Sequence, residues 1–192
     1  MRGRCEQRIP AAGVELRALV EGTGAPVLVL HGFTGRAESM EPVAAGLRDA
    51  FRVVRFDLVG HGESDAPAEP AAYAMERCVE QTAAGLAALG ISSAHLVGYS
   101  MGGRTALALA ALHPERVRSA VLIGASAGLE DPGARAARVR ADEALADRIE
   151  TEGLEPFVDH WMALPVFASQ ARLGEEALRA ARAQRLDRKS VV

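Results

Sequence analysis

Gly98-Tyr99-Ser100-Met101-Gly102 is the stretch on which the reading of this sequence turns. It matches Gly-x-Ser-x-Gly and stands between a short apolar run, residues 94–98, and a stretch at helical spacing, residues 101–112. That strand–turn–helix setting is what the motif requires. The glycines permit a sharp turn without Cβ clashes, so the serine projects from the end of the strand. Ser100 then heads a helix, where the helix dipole and free N–H groups favour a developing oxyanion. The competing reading, a chance Gly/Ser turn at a strand–helix junction, is weakened by this context.

Outward from the motif the chain alternates. Pro26-Val27-Leu28-Val29-Leu30 is a continuous apolar run of the kind buried on both faces of a sheet. Residues 51–56 and 117–123 read as further strands, and residues 8–20 as a weak strand or hairpin turned near Ala12-Gly13. Residues 39–49 and 75–89 have helical spacing, the second ending at Gly90, and Pro114 breaks the helix that follows Ser100. The βαβα order predicts an α/β fold: a mostly parallel sheet with helices on both faces. After Gly124 the texture changes to Arg, Ala, Glu and Leu at helical spacing. The expected organisation is a core over residues 1–127, a helical lid over 128–186, and a tail over 187–192.

The composition bounds the function. With 192 residues, 49% hydrophobic, and a net charge of −3, the chain is of a size and balance for one globular domain. The slightly acidic balance gives no reason to expect nucleic acid as a partner. No signal-like apolar core follows the basic N-terminus, and no run is long enough to span a bilayer, so a cytoplasmic protein without a membrane partner is expected. Cys5 and Cys78 make no disulfide framework. The histidines and cysteines lack ligand spacing, so neither a metal nor a cofactor is expected. Of the 22 basic residues only Lys189 is a lysine, and the rest are arginines.

Two further pieces belong with the serine. His31-Gly32-Phe33 follows the run 26–30, and a loop there supplies a second oxyanion donor, the Phe33 N–H, beside that of Met101. His31 precedes that loop and is read as structural. Asp57-Leu58-Val59-Gly60-His61-Gly62 follows the run 51–56. His61 is read as a structural turn residue, and Asp57 as a cap or brace of the same turn.

Together these pieces resemble the α/β-hydrolase fold, in the right order over residues 8–125. The segments Gly98 to Arg104, Ala127-Gly128-Leu129, Arg135 to Arg138, Trp161, and Pro165-Val166-Phe167-Ala168-Ser169 resemble the 2-succinyl-6-hydroxy-2,4-cyclohexadiene-1-carboxylate synthases of menaquinone biosynthesis. The resemblance implies a lyase that eliminates pyruvate from 2-succinyl-5-enolpyruvyl-6-hydroxy-3-cyclohexene-1-carboxylate, with Ser100 beginning proton abstraction. A small-molecule polycarboxylate wants a cationic pocket, and arginine pairs carboxylates bidentately. Arg104 lies one turn beyond Ser100 on the same helix face. Arg138 would enter from the lid, with Trp161 and Phe167 as walls and Tyr99 as a hydrogen-bonding group. Arg182 or Arg185 is implied as one more cation, with no choice between them. Each arginine is equally readable as a solvated helix face, and the two lid aromatics as lid core.

The resemblance also implies a triad acid and histidine after the serine, beyond two further strands. The histidines after Ser100 are His113 and His160, and neither follows a terminal strand. The expectation is a C-terminally truncated core, inactive and aggregation-prone, with residues 187–192 a foreign tail translated from a sequencing adapter. Two other readings stay open: a generic carboxylic-ester or C–C hydrolase, and a non-catalytic binding module of the same fold.

Overall fold

The computed structural model describes residues 3–186. Residues 187–192, and with them the expected foreign tail, lie outside the described residues. The chain forms two compact units, Met1–Ala127 and Gly128–Val192.

The first unit is built on six strands, β1 (Cys5–Ala11), β2 (Val14–Glu21), β3 (Ala25–Leu30), β4 (Phe51–Phe56), β5 (Ala94–Tyr99) and β6 (Val117–Ile123). Three helices join them: α1 (Glu41–Leu47), α2 (Met75–Ala88) and α3 (Met101–Leu112). The sheet order is β1-β2-β4-β3-β5-β6. β1, β2 and β4 pair antiparallel in succession, while β3 pairs parallel with β4 and β5, and β5 with β6.

The side-chain alternation of β3 explains its unbroken apolar run. Leu28 and Leu30 join Val54, Phe56 and Leu96 under α2 and α3. Val27 and Val29 join Val53, Met40 and Ala44 on the opposite face, under α1. A strand covered on both sides has no position left for a polar residue. Each fully buried leucine contributes about 1.5–3 kcal/mol by removal from water.

The hairpin is longer and better buried than the sequence suggested. Ala12 and Gly13 both have positive φ, 52° and 95°, the primed turn whose twist suits two-residue hairpins. Glu15, Arg17 and Glu21 make β2 read weakly. Yet Arg17 and Glu21 are only 6% and 5% exposed, their charges matched inside the protein. The helix expected over 39–49 is shorter, α1 being preceded by a 3-10 turn at Ala37–Met40.

β6 is an edge strand. Val121, Leu122 and Ile123 are 54%, 37% and 41% exposed, although their sequence is that of a buried strand.

The second unit contains α4 (Pro132–Glu152), α5 (Leu154–Met162), a 3-10 stretch (Pro165–Leu173) and α6 (Glu175–Leu186). Asp131 caps α4 by accepting the Ala134 N–H at 2.5 Å, and Pro132 occupies its first turn. α4 has no buried residue. Rich in charged residues, it is laced by the i,i+4 pairs Arg138–Asp142 and Arg148–Glu152.

Candidate active site

Ser100 joins β5 to α3 with φ 52° and ψ −112°. A serine in this region is strained by about 1–3 kcal/mol and persists only where the surroundings dictate it. Here the Ser100 N–H donates to the Ile123 carbonyl at 2.8 Å, and the Ser100 carbonyl accepts the Arg104 N–H at 3.0 Å.

Close packing sets the direction of the turn. A Cβ on Gly102 would stand 2.5 Å from the His31 carbonyl oxygen and 2.6 Å from the Leu30 carbonyl carbon. The first turn of α3 therefore rests on the end of β3, which no larger residue permits. A Cβ on Gly32 would meet the Tyr99 ring at 2.9 Å and the Ser100 Cβ at 3.3 Å. The turn carrying Phe33 thus lies directly against Tyr99 and Ser100.

The topology makes this place a crevice. β3 and β5 are parallel neighbours, but α1 after β3 covers one face of the sheet and α3 after β5 covers the other. The carboxyl ends of two such strands form a switch point, where open α/β sheets bind ligands. Phe33, Tyr99, Ser100 and Met101 gather there, and Arg104 is an exposed residue one turn further along α3.

The flanking loops are tied together. Residues 32–35 form a turn closed by the Gly35 N–H on the Gly32 carbonyl at 2.9 Å, with Thr34 at φ 64°. His31 is fully buried, and its Nε2 accepts the Leu58 N–H at 3.0 Å. That bond places the proton on Nδ1, which lies 2.9 Å from the Gly32 carbonyl. The His61 ring is 5.0 Å from His31 and 6.1 Å from Phe33. Asp57, also fully buried, accepts the Ala37 N–H at 2.6 Å and the Glu63 N–H at 2.9 Å. It therefore braces both its own turn and the turn that carries Phe33.

Arg17 is a bracing residue that the sequence reading missed. Its guanidinium bonds Glu6, Glu38 and Asp57, and these bonds raise its pKa further. The available signal was a charged residue inside the run Leu16 to Leu19, on a strand whose neighbours are apolar.

No histidine among the described residues hydrogen-bonds the Ser100 hydroxyl. His113 ends the helix that Ser100 begins, about 18 Å away along the axis. His95 pairs with the Ser119 hydroxyl at 2.8 Å. His160 is in the second unit, on α5.

The second unit groups its own candidates. Trp161 stands between Phe157 and Phe167, its ring centroid 5.8 Å from each. Arg138 donates to both Asp142 oxygens at 2.8 Å on the same helix. Arg182 pairs with Asp159 at 2.6 and 3.1 Å, and Arg185 donates to the Ala181 carbonyl at 2.9 Å.

Residues 25–188 match the model of the alpha/beta hydrolase fold family. The chain belongs to that family. Among α/β hydrolases it is 41% identical over 166 residues to a Bacillus subtilis (strain 168) protein provisionally named 2-succinyl-6-hydroxy-2,4-cyclohexadiene-1-carboxylate synthase, covering 85% of this chain and 60% of that one. It is 36% identical to the synthase of that name from Enterobacter sp. (strain 638), with 84% and 61% covered. A 2-hydroxymuconate semialdehyde hydrolase from Pseudomonas putida is 42% identical over 129 residues, 66% of this chain and 45% of the relative. The solved enol-lactonase of Burkholderia xenovorans LB400 superposes with a TM-score of 0.76 at 27% identity, covering 92% of this chain and 66% of that structure. The chain spans about 60% of the length of the curated synthases it matches. Among the described residues no helix is long and apolar enough to cross a membrane.

Proposed function

We propose that this chain carries the serine half of a lyase that eliminates pyruvate from 2-succinyl-5-enolpyruvyl-6-hydroxy-3-cyclohexene-1-carboxylate. The product of that reaction is 2-succinyl-6-hydroxy-2,4-cyclohexadiene-1-carboxylate. The observation that carries this reading is the strained Ser100 packed against the Gly32 turn, in a chain similar to synthases of that name along most of its length. In this reading Ser100 Oγ begins removal of the substrate proton. The Phe33 and Met101 N–H groups take the developing negative charge, each donor worth about 3–4 kcal/mol at the transition state. Arg104, exposed and without an ion-pair partner among the described residues, takes a substrate carboxylate. Tyr99, 38% exposed beside the serine, donates a hydrogen bond. By resemblance Arg138, Trp161 and Phe167 of the second unit are further substrate-binding residues, and within that unit Arg138 pairs with Asp142.

A serine hydroxyl without a base is a poor acceptor of protons. The 1–192 chain by itself is therefore expected to be inactive. The test is a chimera joining residues 1–186 to the C-terminal portion of the Bacillus subtilis relative, assayed for pyruvate release. Release that disappears with Ser100→Ala and falls strongly with Arg104→Ala supports the lyase. Ester hydrolysis without pyruvate release refutes it and favours the second reading, a C–C or ester hydrolase. The similarity to the semialdehyde hydrolase and the enol-lactonase is what speaks for that alternative.

A further inference from the structure

The turn that presents Phe33 is not one its own sequence would hold. Thr34 is β-branched, sits at φ 64°, and is only 2% exposed. β-branched residues are genuine outliers in that region. The conformation must be imposed from outside, and it is imposed from two directions. Upstream, His31 is fixed to the Leu58 N–H at 3.0 Å. Downstream, the residues leaving the turn are fixed by Asp57, which accepts the Ala37 N–H, and by Glu38, which accepts from Arg17 at 2.7 Å.

Both downstream anchors meet on one side chain. Arg17 Nη1 lies 3.2 Å from Asp57 Oδ2, and Arg17 Nη2 bonds Glu38. Its backbone joins in: the Arg17 carbonyl accepts the Asp57 N–H at 3.0 Å, and the Arg17 N–H donates to the Ser64 hydroxyl at 2.8 Å. A planar guanidinium holds several carboxylates in fixed directions, which an ammonium does not. We infer that Arg17 is a positioning residue of the oxyanion site: it locks the strained 32–35 turn, and hence the Phe33 N–H, against Ser100. The inference rests on the proposed role of Phe33, but not on the identity of the substrate.

The test measures amide hydrogen exchange in the 1–192 chain and uses no turnover, so its outcome is separate from that of the lyase reading. In Arg17→Gln the Gly35 and Ala37 amides are expected to exchange at least tenfold faster, while Leu28 and Leu96 in the central strands change less than threefold. Arg17→Lys should fall between. Adding Thr34→Gly, which suits positive φ, should return Gly35 toward the wild-type rate, a rescue that a merely structural arginine would not allow. Glu38→Gln removes one anchor and is expected to give the same pattern at smaller amplitude, which serves if Arg17→Gln does not fold. Unchanged exchange at Gly35 and Ala37, or equal acceleration of all amides, overturns the inference.

Discussion

Arg17 on β2 and Asp57 at the end of β4 face each other across 3.2 Å, with the Asp57 side chain wholly buried and that of Arg17 8% exposed. Neither belongs to the serine elbow, yet the pair ties both flanking loops to the sheet. Removing one partner of a buried pair costs about 3–5 kcal/mol, because the other charge is left uncompensated. Asp57→Asn should therefore lower stability by about 3 kcal/mol, the low end of that range, since Arg17 keeps Glu6 and Glu38. Urea denaturation of the variant measures this, and a loss below 1 kcal/mol would count against the ion pair as a brace.

Glu38 supplies a pH dependence. Burial pushes its carboxyl up, but the hydrogen bond from Arg17 and the charges of Arg17 and Arg36 outweigh burial and bring it to about 2, against an ordinary value of 4.5. A carboxyl whose pKa is lower in the folded state stabilises fully above its unfolded value. That contribution fades as pH falls from 4.5 toward 2. Glu38→Gln should flatten the acid limb of a stability–pH curve in that window and leave its shape above pH 5 unchanged.

Ser100 trades stability for its position at the head of α3. Replacing it by glycine relieves the positive φ at some cost in chain entropy, so Ser100→Gly should gain about 1 kcal/mol. Ser100→Ala keeps the strain and should gain little. Thermal denaturation of the two variants side by side separates strain from loss of the hydroxyl.

Gly102→Ala tests the seat of the elbow. The added methyl would stand 2.5 Å from the His31 carbonyl, and overpacking of this kind costs about 1–3 kcal/mol. Because backbone must move to accept it, the 32–35 turn should shift as well, visible as amide chemical-shift changes confined to residues 30–35 and 98–103.

β6 is an open edge of the sheet, and Val121, Leu122 and Ile123, alternating between its two faces, are all partly exposed. Such an edge templates pairing with other chains, and a charge on it discourages that. Val121→Lys should reduce concentration-dependent light scattering severalfold without changing the stability of the first unit.

The parts legible in the sequence were those with a local signature. Gly98 to Gly102 announced a strand, a turn and a helix at once, and the apolar run 26–30 announced a central strand. Asp57 was recognisable as a brace because its turn lies beside it in sequence. Arg17 was not, because its meaning is three carboxylates brought in from residues 6, 38 and 57 by strand pairing. Thr34 looked ordinary, since nothing in a single sequence marks a threonine that will be forced to positive φ. The Val-Leu-Ile run of β6 reads by itself as buried; its exposure is expected only from the truncation of the sheet, not from its own residues. Arg138 had a solvated-face reading beside the pocket one, and the Asp142 pair on the same helix is the reason that reading was reasonable.

The division of the chain after Ala127 has a consequence for synthesis. The elbow, its two flanking loops and the six strands that carry them all lie upstream of that point. At roughly 5–20 residues per second a ribosome needs several more seconds to reach the end of α6. During that interval the nascent chain already has what it needs to fold the serine turn, with β6 exposed as its open margin. A chaperone that shields extended apolar segments would find a target there, on β6, rather than at the elbow.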